Sequence, residues 1–215
     1  LIDRGMVYAI AHIRGGMDKG KKWYQDGKKK KKINTFEDFI CSALYLKKER
    51  ISGEISIHGG SAGGLLVGAT LNIRPDIFKA AVAEVPFVDV LNTILDDTLP
   101  LTPPEWEEWG NPIKNIEDFQ YISSYSPYDN IKEQDYPTLL VTSGLTDPRV
   151  TYWEATKWVA KLRDKKTDTN PLFLKTYTEA GHGGMAGRYN QIKEVAFTYA
   201  FILWSHNLLK RPIAS

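Results

Sequence analysis

Cysteine is almost absent from this sequence, which contains only Cys41 among its 215 residues. An internal disulfide is therefore impossible, and the composition suits a reducing compartment, so we expect a cytoplasmic protein. Cys41 falls within a helical apolar pattern, where we expect a buried structural thiol. The chain begins at Leu1 rather than at a methionine, and we expect further sequence upstream.

Long apolar runs and a strong net charge are also missing. No stretch approaches the roughly 20 apolar residues of a transmembrane helix, so we expect no membrane partner. The formal net charge is only +2, too small an excess to indicate a nucleic-acid partner. The run Lys28–Lys32, next to Trp23 and Tyr24, is one candidate nucleic-acid patch. Because no second patch extends it, we interpret it as a solvated loop.

What the chain does contain is a regular alternation of apolar strands and helices. Its 42% hydrophobic residues suffice for one sizeable core. About five strands are predicted, at Met6–Ile13, in the run entering Ser61, and at Phe78–Val85, Thr138–Ser143 and Leu172–Thr176. Alternation of this kind predicts an α/β fold with a mostly parallel sheet and helices on both faces. The stretch Asp89–Asn130 shows no clear periodicity, and we expect it to be irregular.

One glycine-rich junction follows a predicted strand and precedes a predicted helix. There Gly59 and Gly63 flank Ser61 in a G-x-S-x-G pattern, which at such a junction is typical of the nucleophile elbow of α/β-hydrolases. The turn lifts the serine hydroxyl above the sheet, while the glycines remove Cβ atoms that would collide with neighbouring backbone. A plain Gly/Ser turn is the alternative interpretation.

Two residues downstream of Ser61 have the types and positions of its catalytic partners. Asp147 follows the strand that ends at Ser143, and His182 follows the strand that ends near Thr176. In α/β-hydrolases the nucleophile, the acid and the histidine occur in this order. We therefore predict a triad of Ser61, Asp147 and His182, with the histidine as the base and the aspartate orienting it.

These residues resemble those of a known family, the prolyl oligopeptidase family of serine peptidases. The matching motifs are Ala11–Gly16, Gly59–Gly64, Asp147–Val150 and Gly181–His182. Within that family, two further stretches look like the oligopeptidase B branch, also called protease II: Val85–Thr93 and Glu105–Pro112. The resemblance extends over essentially the whole chain.

The resemblance implies a serine endopeptidase that cleaves small peptides after Arg or Lys through an acyl-enzyme. It implies that Glu105 and Glu107 bind the basic P1 side chain, as paired carboxylates hold a guanidinium. Arg149 would bind a substrate backbone carbonyl, and the backbone N–H of Ala62 would be one oxyanion donor. Glu108 is a third acid whose direction the sequence does not assign. We expect no metal ion and no cofactor.

The family also has parts that these residues do not match. Its members carry a β-propeller, the first strands of the hydrolase sheet, and a tyrosine that is the second oxyanion donor. We therefore expect residues 1–215 to be a single catalytic domain, incomplete at its N-terminus, with a propeller-containing segment as a partner and short basic peptides as substrates. The alternatives are an inactive remnant of a truncated or split gene and an esterase on the same fold.

Overall fold

The structure, a computed structural model, describes residues 1–209. Within them lies a parallel sheet in the order β1-β2-β3-β4, whose strands are β1 Ser56–Gly60, β2 Ala80–Glu84, β3 Thr138–Gly144 and β4 Leu172–Tyr177. The α-helices are α1 Lys21–Gln25, α2 Ile33–Lys48, α3 Ala62–Ile73, α4 Val90–Leu95, α5 Thr102–Trp109, α6 Ile116–Tyr125, α7 Tyr152–Lys165 and α8 Arg188–Ser205. Short 3₁₀ helices occupy Ile2–Arg4, Lys29–Lys31 and Pro75–Ile77.

The sheet separates two apolar layers because successive strand residues point to opposite faces. Ala81 and Ala83 of β2 contact the large cluster formed with α2, α3 and α7. The alternate residues of β2 contact Phe201 and Ile202 of α8 on the other face. Burial on both faces explains why the central strands are continuously apolar. Helices on both sides of a parallel sheet confirm the predicted α/β-hydrolase class.

The predicted first strand is wrong. The segment Met6–Ile13 forms no ladder with any strand in residues 1–209, so the sheet has four strands there rather than five. Val7 and Ile10 are 63% and 67% exposed. Strand structure requires a hydrogen-bonded neighbour, and among the described residues β1, at the edge of the sheet, pairs only with β2. The segment therefore has the apolar pattern of a strand but pairs with no strand in the described residues.

The stretch Asp89–Asn130 is not irregular, contrary to expectation. It contains α4, α5 and α6, whose inward residues pack into an apolar cluster with Phe87. Pro103 and Pro104 obscured α5 in the sequence, but its first turn tolerates proline because the amides there have no helical acceptor. Asn115 caps α6 by accepting hydrogen bonds from two first-turn amides.

Cys41 is exposed rather than buried, also contrary to expectation. The residues of α2 that face the core are Phe36, Ile40 and Ala43, at helical spacing. Cys41 follows Ile40 by one residue and is therefore rotated by about 100° away from that face.

No helix in residues 1–209 has both the length and the apolar character needed to cross a bilayer.

We predict that two adjacent glycines of α3 respond oppositely to a methyl group. A Cβ at Gly64 would lie 2.5 Å from Pro86 Cα, whereas a Cβ at Gly63 would meet no atom within 4 Å. Gly64→Ala should lower the free energy of unfolding by about 1–3 kcal/mol through overpacking. Gly63→Ala should leave it unchanged or raise it by up to about 1 kcal/mol. Urea unfolding measures both, and equal effects would contradict the close contact between α3 and Pro86.

Candidate active site

Ser61 occupies a strained turn between β1 and α3. Its backbone has φ 54° and ψ −119°, a conformation that costs a non-glycine residue about 1–3 kcal/mol. Two backbone hydrogen bonds hold the turn: the Ser61 amide donates to Glu84 O at 2.9 Å, and the Phe87 amide donates to Ser61 O at 3.1 Å. The turn is thus fixed to the end of β2 and to the loop that follows it.

Gly59, two residues before the serine, is required because the backbone of α3 passes close to it. A Cβ at Gly59 would lie 2.2 Å from the carbonyl oxygen of Gly63. No L-residue with a side chain fits there unless the strand and helix separate. The G-x-S-x-G spacing therefore reflects the packing of β1 against α3 at this turn.

Asp147 lies in the loop after β3, with its side chain fully buried. Its Oδ1 accepts hydrogen bonds from the amides of Arg149, at 2.8 Å, and Val150, at 3.0 Å. These two bonds fix the rotation of the carboxylate. The other oxygen, Oδ2, consequently faces His182 Nδ1 at 2.7 Å.

His182 lies in the loop after β4 and faces both other residues. Its Nε2 is 3.1 Å from Ser61 Oγ. The loop is fastened to the loop of Asp147 because the amide and hydroxyl of Thr146 both donate to Ala180 O. Gly144 permits this approach, since a Cβ there would lie 2.5 Å from the same oxygen.

The three side chains therefore form one hydrogen-bonded chain at the carboxyl ends of β1, β3 and β4. Ligands of open parallel sheets bind at this edge. A hydroxyl within reach of an imidazole, whose other nitrogen faces a buried carboxylate, is an arrangement suited to nucleophilic attack with general-base assistance. Ala62 is the first residue of α3, so its N–H precedes the point at which helical hydrogen bonds begin.

A cavity of about 350 Å³ opens beside Ser61 and Ala62. Glu105 and Arg149, both predicted to bind substrate, line it. Glu105 is oriented by Trp109, whose indole Nε1 donates to Glu105 Oε2 at 2.7 Å. A carboxylate and an arginine are thus placed in the space next to the serine.

The structure does not bring Glu107 into this cavity. Its side chain is 86% exposed and forms an ion pair with Lys29 at 2.9 Å. Glu108, unassigned from the sequence, points toward Lys32 and Tyr24 and accepts hydrogen bonds from both, at 2.9 and 2.7 Å.

The lysine run is only in part the solvated loop expected from sequence, because Lys30 and Lys31 are exposed whereas Lys32 is buried. Lys32 is buried, forms an ion pair with Glu108 at 2.9 Å and lies over the Trp109 ring. Burial lowers the pKa of Lys32, and the carboxylate of Glu108 opposes this shift. Lys30 pairs with Glu117 of α6. The run therefore fastens its own segment to α5, which carries Glu105, and to α6.

Sequence reasoning missed Glu154, which also lines the cavity. It lies on α7 with 0% exposure, and burial raises the pKa of its carboxyl group to about 7. A signal was present in the sequence: Glu154, Trp158 and Leu162 recur at four-residue intervals on the buried stripe of α7. An acid on such a stripe is rare without a specific set of partners.

The sequence of this chain matches that of a known protein family. A sequence profile described as the Prolyl oligopeptidase family matches residues 1–208. The chain belongs to the prolyl oligopeptidase family. This membership confirms the resemblance predicted from the elbow and from the Asp147 and His182 loops.

Individual family members are similar over nearly the whole chain. Protease 2 of Moraxella lacunata and Dipeptidyl aminopeptidase BI of Pseudoxanthomonas mexicana are each 51% identical over 205 residues, or 94% of this chain. The structure of oligopeptidase B from Trypanosoma brucei with covalently bound antipain, in a closed form, matches with a TM-score of 0.95 and 50% identity over 100% of this chain. The chain covers between 28% and 30% of the length of these three proteins.

We predict unequal roles for the two neighbouring acids of α5 in stability. Glu108→Gln leaves the buried ammonium group of Lys32 without its carboxylate and should lower the free energy of unfolding by about 3 kcal/mol, the lower end of the range for breaking a buried pair. Glu107→Gln removes an exposed pair and should cost less than about 1 kcal/mol. Urea unfolding of both variants tests this, and a Glu107 effect as large as that of Glu108 would contradict it.

Proposed function

We propose that residues 1–215 form the catalytic part of a serine peptidase that cleaves small peptides after Arg or Lys. The observation that carries this proposal is the chain of hydrogen bonds from Asp147 through His182 to Ser61. Membership of the prolyl oligopeptidase family supports it independently.

In the proposed reaction, Ser61 Oγ attacks the scissile carbonyl carbon while His182 Nε2 accepts the hydroxyl proton. Asp147 holds the imidazole in the tautomer with hydrogen on Nδ1 and stabilises the imidazolium that forms. The N–H of Ala62 donates to the oxyanion. His182 then returns the proton to the leaving amine. Water attacks the acyl carbon while His182 accepts its proton, and His182 passes that proton to Ser61 Oγ as the bond between the serine and the acyl group breaks.

We assign selection of the basic P1 side chain first to Glu105. It lines the cavity beside the nucleophile, and the Trp109 indole fixes its carboxylate. A bound guanidinium would gain charge-assisted hydrogen bonds there, the strong kind. Arg149 is assigned to a substrate backbone carbonyl. A P1 role for Glu107 stays a prediction from the resemblance, with the Lys29 pair and its exposure against it.

The mode of cleavage and the partner segment are further parts of the proposal. The equally similar relatives carry the names Protease 2 and Dipeptidyl aminopeptidase BI, so identity alone does not separate internal cleavage from removal of N-terminal dipeptides. We propose internal cleavage, with a second oxyanion donor and a propeller supplied by a segment outside this chain. A cytoplasmic location stays a prediction.

Two alternatives have definite signatures. An inactive remnant, or one part of a split gene, is favoured by the exposed apolar residues Val7 and Ile10 and by the outer edge of β1, which pairs with no strand within residues 1–209. An esterase on the same fold is disfavoured by the carboxylate of Glu105 in the cavity, since an acyl pocket would be apolar. A preference for p-nitrophenyl esters that Glu105→Gln does not alter would revive it.

The peptidase proposal predicts that Ser61→Ala abolishes cleavage of an N-blocked fluorogenic Arg peptide. The expected loss in kcat is on the order of 10⁶, because the serine and the histidine act as a unit and removing one abolishes the contribution of both. The assay compares the 215-residue chain with a longer form that carries the sequence upstream of Leu1. A free-N-terminal dipeptide substrate separates the two cleavage modes. Equal rates for Ser61→Ala and the parent would refute the assignment.

Removing the charge of Glu105 should weaken selection of the basic side chain. We expect Glu105→Gln to raise the KM of the Arg peptide roughly 10- to 100-fold, the value of one hydrogen bond between charged groups. Glu107→Gln is the comparison, since both variants remove one carboxylate from α5. A KM effect of Glu107 equal to that of Glu105 would show that the resemblance, rather than the cavity geometry, identifies the binding pair.

A further inference from the structure

Glu154 is a buried acid that the serine chemistry does not use. Its Oε2 accepts hydrogen bonds from the amides of Val88, at 3.0 Å, and Asp89, at 2.9 Å. Its Oε1 accepts from the hydroxyl of Thr93 at 2.7 Å. Glu154 and Thr93 both line the cavity that contains Glu105.

This set of donors suits the ionised carboxylate. An ionised carboxylate offers about four acceptor positions, and three donors occupy three of them. The protonated acid would instead have to place an O–H among groups that donate. Burial opposes the charge and is the main reason that the pKa of Glu154 rises to about 7, while the three hydrogen bonds lower it. The group therefore changes charge near neutral pH.

Lys157 of α7 interacts electrostatically with Glu154 but forms its ion pair with Asp89. The charge of Asp89 also raises the pKa of Glu154. The same cavity is lined by Glu105 of α5 and by Arg149 in the loop after β3. Within residues 1–209, no salt bridge reaches Glu154.

We propose that Glu154 is the second carboxylate of this cavity and that, with Glu105, it selects a guanidinium or ammonium side chain. The inference rests on the proposed function and names a specificity residue for it. Glu107 does not line the cavity. Thr93, which lines the cavity and donates to Glu154, joins the buried carboxylate to the space that the bound cation enters.

A cation bound in the cavity favours the charged form of Glu154 and so displaces its proton. Affinity for the cation should therefore rise as pH increases through about 7, where Glu154 becomes charged, and should level off above it. The same linkage requires proton release on binding below and near neutral pH, with release declining toward pH 8.5.

The test is calorimetric titration of the 215-residue chain with n-butylguanidine, a cation at all relevant pH values. Titrations at pH 6.5 and pH 8.5, each in two buffers of different ionisation enthalpy, give the protons released per molecule bound. We expect release of more than half a proton at pH 6.5 and little at pH 8.5. This readout uses the unmodified protein, so it does not depend on whether a variant folds.

Variants then identify the group that releases the proton on binding. Glu154→Gln should abolish the release and weaken binding at pH 8.5 at least tenfold, the effect of one charge within about 12 Å of the cation at an effective dielectric constant of about 20. Glu133→Gln, on the surface, should behave like the parent. Release that persists in Glu154→Gln would come from another group and would overturn the inference.

The outcomes separate the inference from the proposed function. Binding that depends on Glu105 but is unchanged in Glu154→Gln, without proton release, overturns the inference and leaves the peptidase proposal standing. Absence of binding at millimolar n-butylguanidine overturns the inference and the assignment of the P1 cavity together. The peptidase proposal itself stands or falls on the Ser61→Ala assay.

Discussion

The two hydrogen bonds that tie the backbone of Ser61 to Glu84 and Phe87 are the constraint on which the rest of this site depends. They fix a strained residue to the end of β2, and that conformation directs the side chain away from the sheet toward His182. The strain persists only because the surroundings over-determine it. Those surroundings are the β1–β2 ladder, the approach of α3 permitted by Gly59 and Gly64, and the loop at Pro86 and Phe87.

Much of the frame could be predicted because its signals are local. The strands β2, β3 and β4 are short apolar runs that end at polar loops, and the elbow has a fixed glycine spacing. The segment Met6–Ile13 has an equally strong pattern, but a strand also needs a partner, and that partner is not a property of the segment itself. Prolines hid α5 for a similar reason, since the sequence pattern does not distinguish a first helical turn from an interior one.

The proposed binding residues were less predictable than the proposed triad. Glu105 and Glu107 are two residues apart on α5, so their side chains diverge by about 200° around the helix axis. One can face the cavity only if the other faces solvent, where Lys29 meets it. Glu154 could not be recognised from the sequence for a different reason. It lies on an apolar stripe, and the donors that make its burial tolerable come from the folded loop between β2 and α4 and from Thr93 of α4.

The central claim is that this fold activates Ser61 through His182. Labelling of the 215-residue chain with a fluorophosphonate, followed by mass spectrometry of its peptides, tests that claim without requiring a substrate or a P1 preference. We predict covalent modification of Ser61 that His182→Ala reduces by several orders of magnitude, because general-base assistance contributes about 10²–10⁴. An unmodified Ser61, or equal labelling rates in the parent and in His182→Ala, would contradict the account.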